Sequence, residues 1–486
     1  MYREFKGLDL PQIDQEILRF WEAERIFEQS IEQRPAEQGF VFYEGPPSAN
    51  GKPGIHHVMA RTIKDLFCRY HSMKGQRVER KGGWDTHGLP IELNVEKELN
   101  ITKEDIGKTI SMEEYNLKCR ETVMRYKDMW DDITRKMGYW VDLDNPYITY
   151  DNDYIESVWW LLRQLYDKGL LYKGYTIQPY SPAAGTGLSS HELNLPGAYR
   201  DITDTSAVAQ FKIKGTADEY FLAWTTTPWT LPSNTALAVG KDIDYVKVRA
   251  FNRYTGKLTR VILAKERLGA YFTEANPALQ PEEVKAGNKP IPYLEIEAEM
   301  KGAALEGMEY EQLLPYVQPE QPAFRVLLGD FVSTEDGTGI VHIAPTFGAD
   351  DFKVARENGI PPLLVHDEQG NPMPLVDRQG RFVKEVTDFA GRYVKDYGQE
   401  EERPVDVDIV IKLKEEDKLF HSEKYVHSYP HCWRTDKPVL YYPLDSWFIR
   451  ATAAKERMFE LNQTINWKPK STGEGRFGKW LENLQD

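Results

Sequence analysis

Two stretches of the sequence combine residue types and spacing that could do chemistry. The first is Gly54-Ile55-His56-His57, which follows the loop GPPSANGKP. A helix beginning there would offer free backbone N–H groups and the positive end of its dipole, a setting that suits an anion such as a triphosphate. Adjacent imidazoles could donate to phosphate oxygens and stabilise charge during in-line displacement at phosphorus. Taken alone, the pair also fits an ordinary helix cap. The second stretch is Trp224-Thr225-Thr226-Thr227-Pro228-Trp229-Thr230, with Asn234 soon after, followed far downstream by His342 in GIVHIAP and Asp351 in GADD. Alternating threonines also fit a strand edge with outward hydroxyls. No Ser/His/Asp or Cys/His nucleophile set is evident.

The elements needed to position these residues can be read from periodicity. Ile13, Ile17, Phe20 and Trp21 share one helical face, so an amphipathic helix opens the chain. GFVFYEG (39–45) reads as a short buried strand. A Pro, Ser, Asn and Gly-rich loop follows. Met59, Ile63, Leu66, Phe67 and Tyr70 then recur at helical spacing, with Gly75 as the stop. QRVERKGGWD reads as another strand, which completes the start of a βαβ unit. Residues 105–170 are helical in pattern. From about 200 to 345 the pattern turns to strands, through AVAQFKI, EYFLAWTTT, YVKVRAF, RVILA, FRVLLGDFV and GIVHIAP. An α/β beginning interrupted by a strand-rich block implies an inserted domain. The expected division is 1–194, 195–395 and 396–486, the last with mixed character and a helix over SWFIRATAAKERMFELNQ.

Composition sets bounds on function. The chain has 486 residues, 41% hydrophobic and 28% charged, with a net charge of −15. This is enough chain for two to four domains. The acidic balance disfavours indiscriminate nucleic-acid binding but leaves room for RNA held by local basic patches. No apolar run approaches the roughly 18–20 residues a membrane span needs, and MYREFKGLDLPQIDQ lacks a signal region. A cytoplasmic protein with no membrane partner is expected. Cys68, Cys119 and Cys432 are too scattered for a disulfide framework.

GPPSANGKPGIHH, followed by GGWDTHGLPIE at 82–92, resembles the class I aminoacyl-tRNA synthetases, and the second motif resembles the isoleucyl enzymes in particular. The resemblance continues through YKGYTIQPYSPAAGTGLSSHE, AWTTTPWTLPSNTALAV, GTGIVHIAPTFGADD, HSYPHCWRT, SWFI and EGRFGKWLEN. It implies an α/β fold: the first half of a Rossmann-like catalytic domain, interrupted by a strand-rich editing domain. The implied partners are isoleucine, ATP with Mg²⁺ and tRNA-Ile, and the full-length form is expected to be a monomer. Gly45 and Pro46 would wall the isoleucine pocket. Asp85 would hold the substrate ammonium, which needs a charged acceptor once partly desolvated. Gly54, His56 and His57 would contact ATP. The family signature at this helix start is His-x-Gly-His, whereas here the first and third residues are exchanged, which puts an imidazole where glycine admits the adenine.

The same resemblance gives the threonine block a role in proofreading. Valine is one methylene smaller than isoleucine, and a pocket rejects such a difference only weakly, by about 1–3 kcal/mol; this amino-acid pair is the usual illustration of that limit. A second hydrolytic site is implied. There Asp351 would hold the valyl ammonium, and Thr225, Thr226, Thr227, Thr230 and Asn234 would position the ester and a water. His342 would line the pocket and exclude isoleucine. Two further signals carry nothing. Relatives bind zinc through cysteine pairs, but the corresponding positions here are Ser181, Ala184, Cys432 and Thr435, so no zinc is expected. Lys468-Pro469-Lys470-Ser471-Thr472 faintly resembles the family's ATP-clamping loop but precedes EGRFGKWLEN, which is too early, and reads as a solvated turn. Because the resemblance places the second half of the nucleotide fold beyond Asp486, the 486 residues alone are expected not to activate isoleucine. Two other readings stand beside the ligase: a free-standing deacylase of mischarged tRNA, and a non-catalytic RNA- or nucleotide-binding remnant.

Overall fold

Helix Ile55–Met73 forms where the apolar repeat places it and gives way at Gly75, whose φ of +89° suits glycine. The computed structural model describes residues 7–284, 290–367, 369–399 and 403–486. The first six residues, part of the stretch read above for a signal, lie outside these. The chain divides into two units, one formed by the segment up to Tyr172 together with Phe448–Asp486, the other by Lys173–Trp447.

In the first unit, helix Leu10–Ala23 carries the expected opening amphipathic face. Residues 39–45 depart from expectation. Gly39 bridges to Arg77 and Phe40 N donates to Arg77 O at 2.9 Å, but the ladder goes no further among the described residues. A strand needs successive partners along an edge. Phe40 instead stacks on His71, with centroids 3.6 Å apart. Strand Lys81–Trp84 does form and runs parallel to Asp142–Ile148. Helices Leu89–Leu99, Met112–Val123 and Lys127–Lys136 make the crossover that a parallel pair requires. Glycine at 83 is a packing necessity, because a Cβ there would lie 2.3 Å from the Tyr147 ring.

The second unit is built on a nine-stranded mixed sheet. Its main path runs Glu295–Lys301, Asp244–Phe251, Leu258–Ala264, Glu219–Thr225, Ile340–Ile343, Ala236–Val239, Arg325–Leu328. Tyr199–Lys212 pairs with Glu219–Thr225 on one side and with Leu419–Pro430 on the other. Each run expected as a strand contains one, although FRVLLGDFV is strand only over Arg325–Leu328, and apolar residues of the sheet make the core: Phe211, Phe221, Leu237 and Val239 are fully buried. Each such side chain contributes about 1.5–3 kcal/mol through burial. The unit extends past 195–395 because Leu419–Pro430 is zipped antiparallel to Tyr199–Lys212, from Leu419↔Ala209 to Pro430↔Tyr199. SWFI, expected to be helical, lies in strand Leu440–Ile449, within a three-stranded sheet that includes Leu171–Ser181. Its helix starts only at Lys455 and runs to Asn462. Among the described residues no helix is long and apolar enough to cross a membrane.

Candidate active sites

The loop before Gly54 is tied down from outside. Tyr126 N donates to Ala49 O at 3.0 Å, Trp130 Nε1 donates to Gly51 O at 2.8 Å, and Asp85 N donates to Pro47 O at 3.0 Å. Ala49, Trp84 and Trp130 form a small buried core beneath it. These contacts bring Asp85 and the two histidines to the same loop. His57 packs edge-on to Trp130 with centroids 4.6 Å apart, and Trp130 meets Trp84, the neighbour of Asp85. The Asp85 carboxylate accepts from His87 N at 3.3 Å. Gly45 is exposed and Pro46 half-buried. Glu44 beside them is locked by Lys64 Nζ and by the Tyr139 hydroxyl, each at 2.6 Å. A cavity of about 390 Å³ opens next to Glu44, lined by Phe42, Tyr43, Glu79, Lys81, Tyr147 and Tyr154 as well.

The exchanged helix start has a geometric cause. Gly54 N donates to His57 Nδ1 at 2.9 Å, so Nδ1 is the unprotonated nitrogen and Nε2–H remains as the donor. Desolvation lowers the His57 pKa, as do the nearby His56 and Arg61, and all favour this neutral form. The His56 ring leans on His57, centroids 3.7 Å apart, and folds over residue 54. A Cβ at 54 would lie 2.9 Å from His56 Cε1. Glycine at 54 and histidine at 56 are thus one arrangement: the ring at 56 occupies the space above 54.

The threonine block ends strand Glu219–Thr225 and enters the short 3₁₀ turn Pro228–Ser233. Thr225 Oγ1 accepts from Thr227 N at 3.0 Å and lies 3.3 Å from Thr227 Oγ1. Thr226 and Thr227 are half-buried, whereas Thr225 and Thr230 are buried. Thr230 Oγ1 donates to Thr227 O at 2.8 Å and meets His342 Nε2 at 3.0 Å. With its hydrogen committed to Thr227, the hydroxyl accepts from His342, which leaves Nδ1 bearing the lone pair. That Nδ1 is buried without a hydrogen-bond partner among the described residues. Burial pushes the His342 pKa down to about 4, so the ring is neutral. A base this weak, beside a hydroxyl whose proton is engaged elsewhere, is not an activated nucleophile pair.

Asp351 stands in the first turn of helix Ala349–Glu357, and its Oδ2 accepts from Ala344 N at 2.8 Å. Its carboxylate folds back against Gly348, where a Cβ would lie 2.7 Å from Cγ. Burial pushes its pKa up to about 7, the bond from Ala344 pulls it down, and Asp350 adds to the rise. Among the described residues no cation pairs with it. Asn234 has its side chain engaged elsewhere: Nδ2 donates to Ala236 O at 2.8 Å, and Oδ1 accepts from the Tyr310 hydroxyl at 2.7 Å. No motif marks Tyr310, nor Asp406, which accepts from Trp229 N at 2.8 Å. Each reaches its partner across a long stretch of chain. At the positions weighed above for zinc, Ser181 Oγ accepts from Ala184 N at 3.2 Å and Cys432 is buried. No group of three or more metal-ligating side chains occurs among the described residues.

Comparison with known proteins follows the same lines. An isoleucine–tRNA ligase of Cytophaga hutchinsonii is 65% identical over 499 residues, which is 99% of this chain and 45% of that protein. One from Bacteroides fragilis is 60% identical over 512 residues, covering all of this chain and 45% of its own length. One from Clostridium tetani is 45% identical over 488 residues, again across the whole chain and 43% of that protein. The chain thus spans under half the length of these relatives. The family model for tRNA synthetases class I (I, L, M and V) matches residues 16–486, and the chain belongs to that family.

Proposed function

We propose that this chain is the N-terminal portion of an isoleucine–tRNA ligase, with half of an ATP site in its first unit and a hydrolytic proofreading site in its second. In the first unit, His57 Nε2–H and the His56 ring face an ATP·Mg²⁺ substrate at the helix start. Gly45, Pro46 and Asp85 belong to the isoleucine site. In the second, Asp351 takes the ammonium of a valyl ester on tRNA-Ile. Thr225, Thr226, Thr227 and Thr230 place the ester and a water, and His342 closes the pocket against the larger isoleucyl group. Asn234 supports the turn from behind, through Tyr310 and Ala236. A cytoplasmic monomer without zinc is part of this reading.

One observation carries the proofreading assignment. Asp351 is a desolvated carboxyl with no cation beside it among the described residues, one short loop from the His342–Thr230 pair. A buried carboxylate of this kind calls for a positively charged ligand. The test is hydrolysis of valyl-tRNA(Ile) by the purified chain, with isoleucyl-tRNA(Ile) as control. Selective loss of the valyl ester is expected. Equal hydrolysis of both esters, or none by folded protein, would refute a working proofreading site in this chain.

A further inference from the structure

We propose that Asp406 is a positioning residue for the threonine turn, fixing Thr225, Thr227 and Thr230 through its hydrogen bond to the Trp229 backbone. The proposal rests on the proofreading reading above and extends it to a residue that lies in none of the motifs. Asp406 sits in the first turn of helix Val405–Glu415, and Trp229 N donates to its Oδ1 at 2.8 Å across 177 residues of sequence. Both residues are 3% exposed. The need for an acceptor at that point is physical. The first N–H groups of a helical turn have no partner within it. Pro228 has no N–H to offer, so Trp229 carries the first unmet donor of Pro228–Ser233.

Asp406 is held in place on its other side. Its Oδ2 faces Lys395 Nζ at 3.7 Å, and Lys395 Nζ bonds Asp204 Oδ2 at 2.5 Å. His427 Nε2 meets that same Asp204 oxygen at 3.0 Å. Asp204 and His427 lie on the zipped strands Tyr199–Lys212 and Leu419–Pro430, so the anchor is the sheet itself. Beyond the clamp, the Trp229 ring meets Phe347 edge-on at 5.0 Å, and Phe347 precedes Gly348, against which the Asp351 carboxylate folds. Trp229 is thus joined to both halves of the proposed site. The next residue, Thr230, carries the contact to His342. A displaced Trp229 would move the hydroxyls and the ammonium-binding carboxylate out of register together, though Asp406 itself touches no substrate in this arrangement.

The experiment compares the 486-residue chain with its Asp406→Ala and Asp406→Asn variants. Asparagine keeps an oxygen acceptor in the same place and lacks only the charge. Two readouts are taken: backbone hydrogen exchange over 228–234, and steady-state hydrolysis of valyl-tRNA(Ile) with the isoleucyl ester alongside. Asp406→Ala is expected to speed exchange in that segment and to lower kcat, each by about tenfold or more, with KM within about twofold. Its preference for valyl over isoleucyl esters should shrink, and Asp406→Asn should keep all three values within about threefold. Unchanged exchange in Asp406→Ala would overturn the proposal. So would equal losses in both variants, because the charge and not the acceptor would then matter. If Asp406→Ala does not fold, loss of protection in folded Asp406→Asn overturns it and retained protection supports it. If the unsubstituted chain hydrolyses nothing, the proofreading reading fails, and the exchange comparison still decides whether Asp406 clamps the turn.

Discussion

Asp351 makes the sharpest residue-scale predictions. Its folded-state pKa of about 7 exceeds its ordinary 3.8. Between those values the folded chain binds the proton more tightly than the unfolded chain does. Stability therefore falls as pH rises through that window, and the penalty is complete above about 7. Asp351→Asn should accordingly raise Tm at pH 8 and leave it nearly unchanged at pH 4, by thermal denaturation. An ammonium ligand needs the ionised form, so valyl-ester hydrolysis should weaken as pH drops below about 7; a rate that stays level from pH 8 to pH 5.5 would remove Asp351 from that role. Asp351→Ala should abolish hydrolysis. Gly54 and His56 make a coupled pair. Gly54→Ala pushes on the far end of an exposed imidazole, so stability should change by no more than about 0.5 kcal/mol while the ring is displaced. Calorimetric titration with ATP·Mg²⁺ should show weaker binding for Gly54→Ala, whereas exchanging the residues at 54 and 56 together should leave affinity broadly unchanged. What the sequence revealed at this scale was whatever lies close along the chain. The threonines, His342 and Asp351 sit in compact motifs, whereas Tyr310 and Asp406 act across 76 and 177 residues, and no local pattern marks them.

At the scale of elements, periodicity located helices and strands well but did not say which faces are covered. Helix Ile55–Met73 forms as read, yet Met59 and Leu66 are 66% and 65% exposed. Periodicity reports amphipathicity, and burial depends on a facing element. The strand expected at 39–45 failed for the same reason, since a run of apolar residues becomes a strand only beside a partner edge. SWFI went the other way: an apolar tetrapeptide suits either structure, and pairing within its sheet decided it. The large sheet also has a tight joint that sequence could not show. A Cβ on Gly302 would lie 2.0 Å from Gly240 O, a backbone atom with no flexible end to move. Gly302→Ala should therefore cost about 1–3 kcal/mol or more in denaturant unfolding. Leu237→Ala, a cavity in the same core, should cost about 2–5 kcal/mol.

At the scale of the whole molecule, the two units differ in how well each covers its own apolar surface. The second has an extensive core of its own. The first leaves Trp159, Trp160 and Leu161 exposed on helix Asn152–Asp167, as well as the stripe on Ile55–Met73. Scanning calorimetry of the chain should resolve two transitions, with the first unit melting at the lower temperature. A single cooperative peak would show that the units do not melt independently. The pairing of Tyr199–Lys212 with Leu419–Pro430 also sets a clock. On a ribosome adding about 5–20 residues per second, the later strand emerges some tens of seconds after the earlier one. Throughout that interval the segment Tyr199–Ala209 waits with that edge bare, because its hairpin with Glu219–Thr225 covers only the opposite one, and neighbouring chains have an open template to pair with.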